Sequence, residues 1–565
     1  MATPALPLDA RGRCAIEPRA TILKHLLILV TAVLVFAACD DGAGPPDEEP
    51  VLAVQRVVIT PDSVEIDVFG EVRLEAVVYG PNNVVLTGRA IEWASGDTML
   101  AVVSGSGQVT GRGVGRVSVT ATVEGVSGSA DVVLTAPPIA RVVASPESVV
   151  VAEGRSKALS LVAVDVQGRE IARYPFEIGQ ASDPAVASVD AAGMVTGLAP
   201  GITAVSVRAD TAATSVLIRV DPEWVEVIPS HNFACALSAE GRAYCWGIDH
   251  NHGHLGTGDP WAQSNELLPV AGEQRFVQLA VGEHHACGIA TDGLAYCWGW
   301  NGNASLGTGD FTDRYVPAPV VNSGELAFRS ITAGEDHTCA LTVEGKAYCW
   351  GRNVYGVLGI GTTEEYATVP TPVAGGHTFK QVHTSAQVVT CGLTAEGKAY
   401  CWGAVSGVTS APELCDSSGC YVPVPVAEGL VFEELFASYY GYGCGRTGNG
   451  EVHCWRSGAG VERVAAPVPF AALAPTVLDA SYGCALGQAG TAYCWSVAPV
   501  PSGQAPPALN AAPLVGGPQL KRVISGARFG RVCGIGVDDL AYCWRDGPDS
   551  PGPVLIPRIA SEQEP

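Results

Sequence analysis

The chain has 565 residues, 47% hydrophobic and 16% charged, too many for one core at roughly 100 to 200 residues per domain. Its 57 Asp and Glu outweigh 33 Lys and Arg, a formal charge of −24 that repels phosphate backbones and excludes nucleic acid as an expected partner. With 67 Gly, 39 Pro and only three Met the balance favours short strands and turns, so an all-β fold is expected, and 18 regularly spaced Cys point to an oxidising compartment.

Residues 1–38 carry Arg11, Arg13, Arg19 and Lys24 ahead of an apolar run from Leu26 to Ala38. As a helix this run rises about 20 Å, short of a hydrocarbon core of about 30 Å, so it reads as a signal peptide and not a membrane span. The small residues before Cys39, in Phe36-Ala37-Ala38-Cys39, resemble the bacterial lipoprotein signal. That resemblance implies that Cys39 is lipidated, becomes the new N-terminus and anchors the exported chain to the bacterial cell envelope, at the outer membrane or cell surface. An ordinary secretory signal with an incidental Cys is the alternative. Cleavage removes four basic and two acidic residues, taking the charge from −24 to −26. Residues 39–50, rich in Asp, Glu, Gly and Pro, cannot bury apolar surface and form a flexible tether.

Residues 51–136 and 139–221 read as two copies of one unit. Arg56-Val57-Val58 through Pro61 recurs as Arg141-Val142-Val143 through Pro146, and Gly107-Gln108-Val109-Thr110-Gly111 recurs as Gly193-Met194-Val195-Thr196-Gly197. Alternation such as Val117-Ser118-Val119-Thr120-Ala121 between turn residues marks a β-sandwich. The G-x-V-T-G motif and the unit length resemble the bacterial immunoglobulin-like group 2 family, which implies a stalk of two Ig-like domains. Neither copy contains Cys, so each relies on burial, with Trp93 and Phe176 as the expected inward anchors. Binding of carbohydrate or host protein by these modules is the alternative to a spacer role.

Over residues 224–560 a unit of about 50 residues returns seven times, a period that points to a solenoid or propeller. Each unit carries two Cys ten apart with a Trp after the second: Cys235 and Cys245, Cys287 and Cys297, Cys339 and Cys349, Cys391 and Cys401, Cys444 and Cys454, Cys484 and Cys494, Cys533 and Cys543. A three-residue hairpin loop, Ala239 to Gly241 in the first unit, puts each pair face to face and requires its last residue in the left-handed region. Gly241, Gly293, Gly345, Gly397, Gly450 and Gly490 hold that place, with Asp539 in the seventh unit. Opposed strand residues lie about 4.5 to 5.5 Å apart at Cα, within disulfide reach, so one disulfide per unit is expected. Zinc is the weaker reading, because structural sites use gaps of two to four residues. Cys415 and Cys420 form an extra pair, read as a loop staple, leaving Cys39 for the lipid and Cys14 in the leader. An apolar strand such as Phe276 to Val281 precedes each hairpin, and a Pro-rich strand such as Pro317 to Val321 follows it at the sheet edge. Four antiparallel strands repeated seven times predict a seven-bladed β-propeller after the two Ig-like sandwiches.

The third unit, Ala333-Gly334-Glu335-Asp336-His337-Thr338-Cys339, then Tyr348-Cys349-Trp350-Gly351-Arg352-Asn353 and Gly356-Val357-Leu358-Gly359-Ile360-Gly361, is similar to the repeat of the regulator of chromosome condensation family. The first three units carry it best. The fourth replaces the Gly-rich loop, and the last three lose the Trp-Gly step as Trp455-Arg456, Trp495-Ser496 and Trp544-Arg545. The resemblance implies the propeller fold. The nuclear member of the family promotes nucleotide exchange on a small GTPase and docks on chromatin, partners not expected for an acidic exported chain. A secreted bacterial inhibitor of β-lactamases, related by fold, uses one propeller face to bind a protein.

His250, His252 and His254 alternate, so on an extended segment all three point one way and with Asp259 offer a possible metal site, against a plain solvated loop. His285 and His337 stand two before a Cys, where the family uses His to hydrogen-bond within the blade. The seven Trp are expected to pack between blades. Among local motifs we find no nucleophile elbow, zinc-protease helix, phosphate loop or dinucleotide fingerprint, so no catalytic residue, metal or cofactor is expected. The expected function is binding of a protein or glycan, with the loops bearing Trp261, Trp300, Tyr355 and the Cys415–Cys420 pair as contact region. The alternatives are a polysaccharide lyase or hydrolase, and a purely structural envelope protein.

Overall fold

The computed structural model describes residues 52–557 apart from 386–387, 406, 438–442, 457–459, 475, 478–481, 497–508, 527–531 and 545–551. The expected signal peptide with Cys14, the expected lipidation site Cys39, the expected tether, Arg545 and residues 558–560 lie outside the described residues.

The first module has three sheets. One joins Arg56–Thr60, Glu75–Tyr79 and Val85–Leu86. A second has the order Ser63–Asp67, Val126–Thr135, Gly115–Val123, Glu92–Ser95, and the third joins Glu71–Arg73, Gln108–Gly111 and Ala101–Val103. The second module repeats that order strand for strand, its four-stranded sheet running Ser148–Ala152, Ala212–Asp221, Gly201–Ala209, Glu177–Ala181. Alternation does what period two requires: Val117, Val119, Ala121 and Val123 are buried along one strand, Val205 and Val207 along its counterpart. Trp93 and Phe176 pack partly buried against this core. The motif glycines are close-approach positions. A Cβ on Gly107, at φ +80°, would meet the Leu74 carbonyl at 2.3 Å, and one on Gly111 would meet the Leu134 side chain at 2.5 Å.

The modules are docked on each other and share one apolar cluster. Val114 N–H donates to the Ala172 carbonyl at 3.2 Å, Arg173 pairs with Asp97 at 2.5 Å, and the Arg169 guanidinium lies 4.2 Å above the Phe69 ring.

From Trp224 seven sheets follow among the described residues. The first runs Trp224–Pro229, Phe233–Ser238, Ala243–Ile248, Gln263–Pro269, each strand antiparallel to its neighbour. The next four repeat this order from inner strands Phe276–Val281, Phe328–Ala333, Phe379–Thr384 and Phe432–Ala437. The sixth starts at Phe470–Leu473. The seventh, with inner strand Leu520–Gly526, gains a fifth strand because Thr476–Val477 lies parallel beside Ser525–Gly526. Outer strands begin earlier than the Pro pattern indicates, at Arg314–Pro319 and Tyr366–Pro372.

The hairpin register follows from the loop. Ser238 N–H donates to the Arg242 carbonyl and Gly241 N–H to the Ser238 carbonyl, both at 2.9 Å, so Cys235 faces Cys245. All seven pairs are joined in this register at Cα separations of 3.9 to 4.1 Å, closer than the spacing taken from average strands, and Cys415 is joined to Cys420. Trp298, Trp350, Trp402, Trp455, Trp495 and Trp544 are fully buried, each in a cluster that includes residues of the preceding sheet.

The two ends of this region meet by packing. Trp224 and Val227 of the first sheet share a core with Cys533, Ile535 and Ala541 of the seventh. All four strands of the first sheet come from its own unit, so no strand is exchanged at the seam among the described residues.

Candidate functional site

The Gly-rich loop after each of the first three hairpins is a latch between sheets. Gly258, Gly309 and Gly361 N–H donate to Tyr315, Thr368 and Tyr421 carbonyls on the next outer strand, at 2.9, 2.9 and 2.8 Å. Two residues earlier, Gly256, Gly307 and Gly359 press against the indole of the next sheet. A Cβ on Gly359, at φ +63°, would lie 2.7 Å from Trp402.

His285 and His337 act across the same seams, which corrects the expectation of a bond within the blade. Their Nε2 atoms meet Thr338 and Thr390 hydroxyls of the following sheet at 2.8 and 3.1 Å, and those hydroxyls donate back to the Ser305 and Val357 carbonyls. Both imidazoles are buried, and burial pulls them down to a pKa of about 3, so they are neutral at any ordinary pH.

The three loop histidines do not form one open cluster, although the His252 and His254 rings lie 5.7 Å apart. His250 is exposed, His252 pairs with Asp313 at 2.8 Å, and His254 is buried and stacked on Phe233. The loop is curled, not extended, because the Asp249 carboxylate accepts N–H bonds from His252, Gly253, His254 and Leu255. Asp259 instead accepts the Trp261 N–H. Among the described residues no group of three or more His, Cys, Asp or Glu is arranged to hold a metal ion.

The proposed contact residues differ in standing. Trp261 is 70% exposed and Tyr355 44% exposed. Trp300 is half-buried, edge-on to His284 and His252 at 5.5 and 6.3 Å, so it belongs to the packing under the loops. Cys420 is buried at the start of Cys420–Val426, and its bond to Cys415 ties that loop to the sheet. Phe311, 52% exposed and edge-on to Tyr366 at 5.5 Å, joins Trp261 and Tyr355 as an exposed loop aromatic that sequence reading missed.

A second feature that sequence reading missed is a polar ladder around the central channel. In five of the seven sheets the third residue of the inner strand reaches a neighbouring inner strand, Ser330 and Ala472 being the exceptions. Glu226 accepts from Leu279 N–H at 3.0 Å. Gln278 both accepts from Ile331 N–H and donates to its carbonyl at 3.1 Å. Gln381 accepts from Leu435 N–H at 3.2 Å and Glu434 from Leu473 N–H at 2.7 Å. Arg522 closes the ladder on Glu226 at 2.6 Å. Burial pushes the Glu226 carboxyl upward, opposed by Arg522. Aligning the inner strands on their leading large apolar residue (Trp224, Phe276, Phe379, Phe432 and Leu520) exposes this position, because Glu226, Gln278, Gln381, Glu434 and Arg522 then fall in one column.

Residues 240–289, 292–341 and 344–392 match the family model described as the regulator of chromosome condensation (RCC1) repeat, and residues 53–134 match the bacterial Ig-like domain (group 2). The ultraviolet-B receptor UVR8 of Arabidopsis thaliana is 33% identical over 172 residues, 30% of this chain and 38% of the receptor. The probable E3 ubiquitin-protein ligase HERC4 of Homo sapiens is 32% identical over 192 residues, 32% of this chain and 18% of the ligase. The chain thus spans less than half the length of these two relatives. Among solved structures, human WBSCR16 aligns at a TM-score of 0.46 and 17% identity, covering 56% of this chain and 87% of that one. Prp20p from Saccharomyces cerevisiae aligns at 0.39 and 16%, covering 69% and 88%. Residues 240–392 of this β-propeller chain are therefore regulator of chromosome condensation repeats, and residues 53–134 are a group 2 bacterial Ig-like domain.

Proposed function

We propose that the chain is an exported, non-catalytic binding protein, held at the bacterial envelope through a lipid on Cys39, with residues 139–221 as a second Ig-like domain. In this reading the seven sheets are seven blades of one closed propeller, and the loops of its first four blades take a protein or glycan partner. Nucleic acid and a small GTPase are not the partners proposed, because the chain is strongly acidic. The observation that carries the reading is a division of labour. The polar groups of the latches, the histidine bridges and the channel ladder are engaged in joining sheets, whereas Trp261, Phe311 and Tyr355 stand exposed on loops. Aromatic side chains of this kind supply most of the energy at binding surfaces.

The test is capture by the whole disulfide-bonded chain from envelope proteins and glycan arrays. A saturable partner whose affinity falls at least ten-fold in Trp261→Ala/Tyr355→Ala supports the reading. Turnover of a polysaccharide refutes it in favour of an enzyme, and saturable binding untouched by the double variant refutes the loop surface.

A further inference from the structure

The inner strands wall a central cavity of about 290 Å³. Its charged lining comprises Glu226, Glu434, Arg329, Lys380 and Arg522, a net of +1 inside a chain that carries −24 overall. Both carboxylates are occupied: Glu226 by Arg522 and the Leu279 N–H, Glu434 by Arg446 Nε at 3.3 Å and the Leu473 N–H. Arg329 and Lys380 differ from Arg522. They sit at the same position of adjacent inner strands and donate only to backbone carbonyls. Arg329 reaches Thr342, Phe379 and Lys380 at 3.2, 2.9 and 3.2 Å, and Lys380 reaches Phe432 at 3.3 Å. Among the described residues neither cation is paired with a carboxylate. The carbonyls fix the two side chains without neutralising them, and Arg329 Nη1 takes no part in these bonds. On the same lining the Gln381 amide donates to His383 Nε2 at 2.7 Å, which leaves that imidazole neutral with its proton on Nδ1.

We propose that the channel at the third and fourth sheets is an anion-binding site that takes one compact carboxylate or phosphate between Arg329 and Lys380. The volume suits a small molecule and not an extended chain, and a cationic stretch of channel wall, on which Arg329 stays solvent-exposed and Lys380 half-buried, concentrates anions that the acidic exterior repels. Lining one cavity from adjacent inner strands, a guanidinium and an ammonium offer the fork and the point charge that carboxylate and phosphate oxygens accept. The site stands independently of what the exposed loops bind.

Calorimetric titration of the whole disulfide-bonded chain at low ionic strength, with inorganic phosphate in one arm and citrate in the other, tests it. One saturable site for either anion is expected, weakened at least ten-fold in Arg329→Gln/Lys380→Gln. A response to phosphate alone or citrate alone assigns the class, and a response to both assigns a general compact-anion site. Because those two residues also bridge strands, the wild type supplies a second readout: the His383 ring resonances should shift and saturate at the same anion concentration. Lack of saturable uptake of both anions overturns the proposal. So does uptake that leaves His383 unmoved or is equal in the double variant.

Discussion

Replacing Asp539 by Gly separates two roles that this residue combines. Six of the seven hairpins end their loop in Gly, and Asp539 holds the same left-handed conformation at φ +65°. Its side chain is only 3% exposed, and it pairs with Lys521 of its own sheet and with Arg155 of the second N-terminal module. Were both partners buried as well, removing the carboxylate would cost about 3 to 5 kcal/mol. Arg155 and Lys521 are 53% and 41% exposed, so solvent screens both and each pair is worth about 0.5 to 1 kcal/mol. Gly relieves about 1 kcal/mol of left-handed cost in the hairpin. The two effects nearly cancel for the propeller, and the loss falls on the junction. Arg219 also links the junction there, paired with Asp221 and donating to the Ile556 carbonyl at 3.0 Å. Differential scanning calorimetry with limited proteolysis should show the propeller transition moving by less than about 3 °C. The N-terminal modules should unfold earlier and cleavage near residues 221–224 should rise several-fold. A propeller transition that falls steeply, with the junction still protected, would refute this reasoning and make Asp539 a hairpin residue alone.

Two further outcomes follow from the seams. Gly359→Ala should destabilise the propeller by about 2 kcal/mol or more in chemical denaturation, because the added methyl meets both Trp402 and a left-handed backbone. Gly293→Ala, at φ +82° with open space around it, should cost only the backbone part, about 1 kcal/mol, and equal losses would deny the latch its steric role. For pH, His285 and His337 are held near a pKa of 3 in the folded chain, against an ordinary value of 6.5 when unfolded. The unfolded chain therefore binds more protons between those values, so stability is full above about pH 6.5 and declines as pH falls toward 3. His285→Gln should flatten that decline in melts recorded from pH 7 to 4, and an unchanged slope would sink the assignment.

What lay open in the sequence is what a short stretch of chain dictates. Two Cys ten apart about a loop ending in Gly or Asp admit one hairpin register, and that register alone puts Cys339 opposite Cys349. Period-two alternation between turns specifies strands, and the return of one motif set specifies copies, because these are interactions within a few residues along the chain. The function of individual polar residues was much less legible. Whether His285 bonds within its sheet or to Thr338, 53 positions on, depends on the angle at which two sheets meet. That His250, His252 and His254 do not gather into a metal site follows from the curl imposed by Asp249, which the alternating spacing conceals. The pairing of Arg155 with Asp539, 384 positions apart, exists only because the second module docks beside the seam where the first and seventh sheets meet. Local spacing therefore determined the hairpins and the repeats. Only the assembled molecule decided which polar groups join sheets, which aromatics stay exposed and which cations face the channel, because those outcomes depend on distances between segments that the chain itself does not fix.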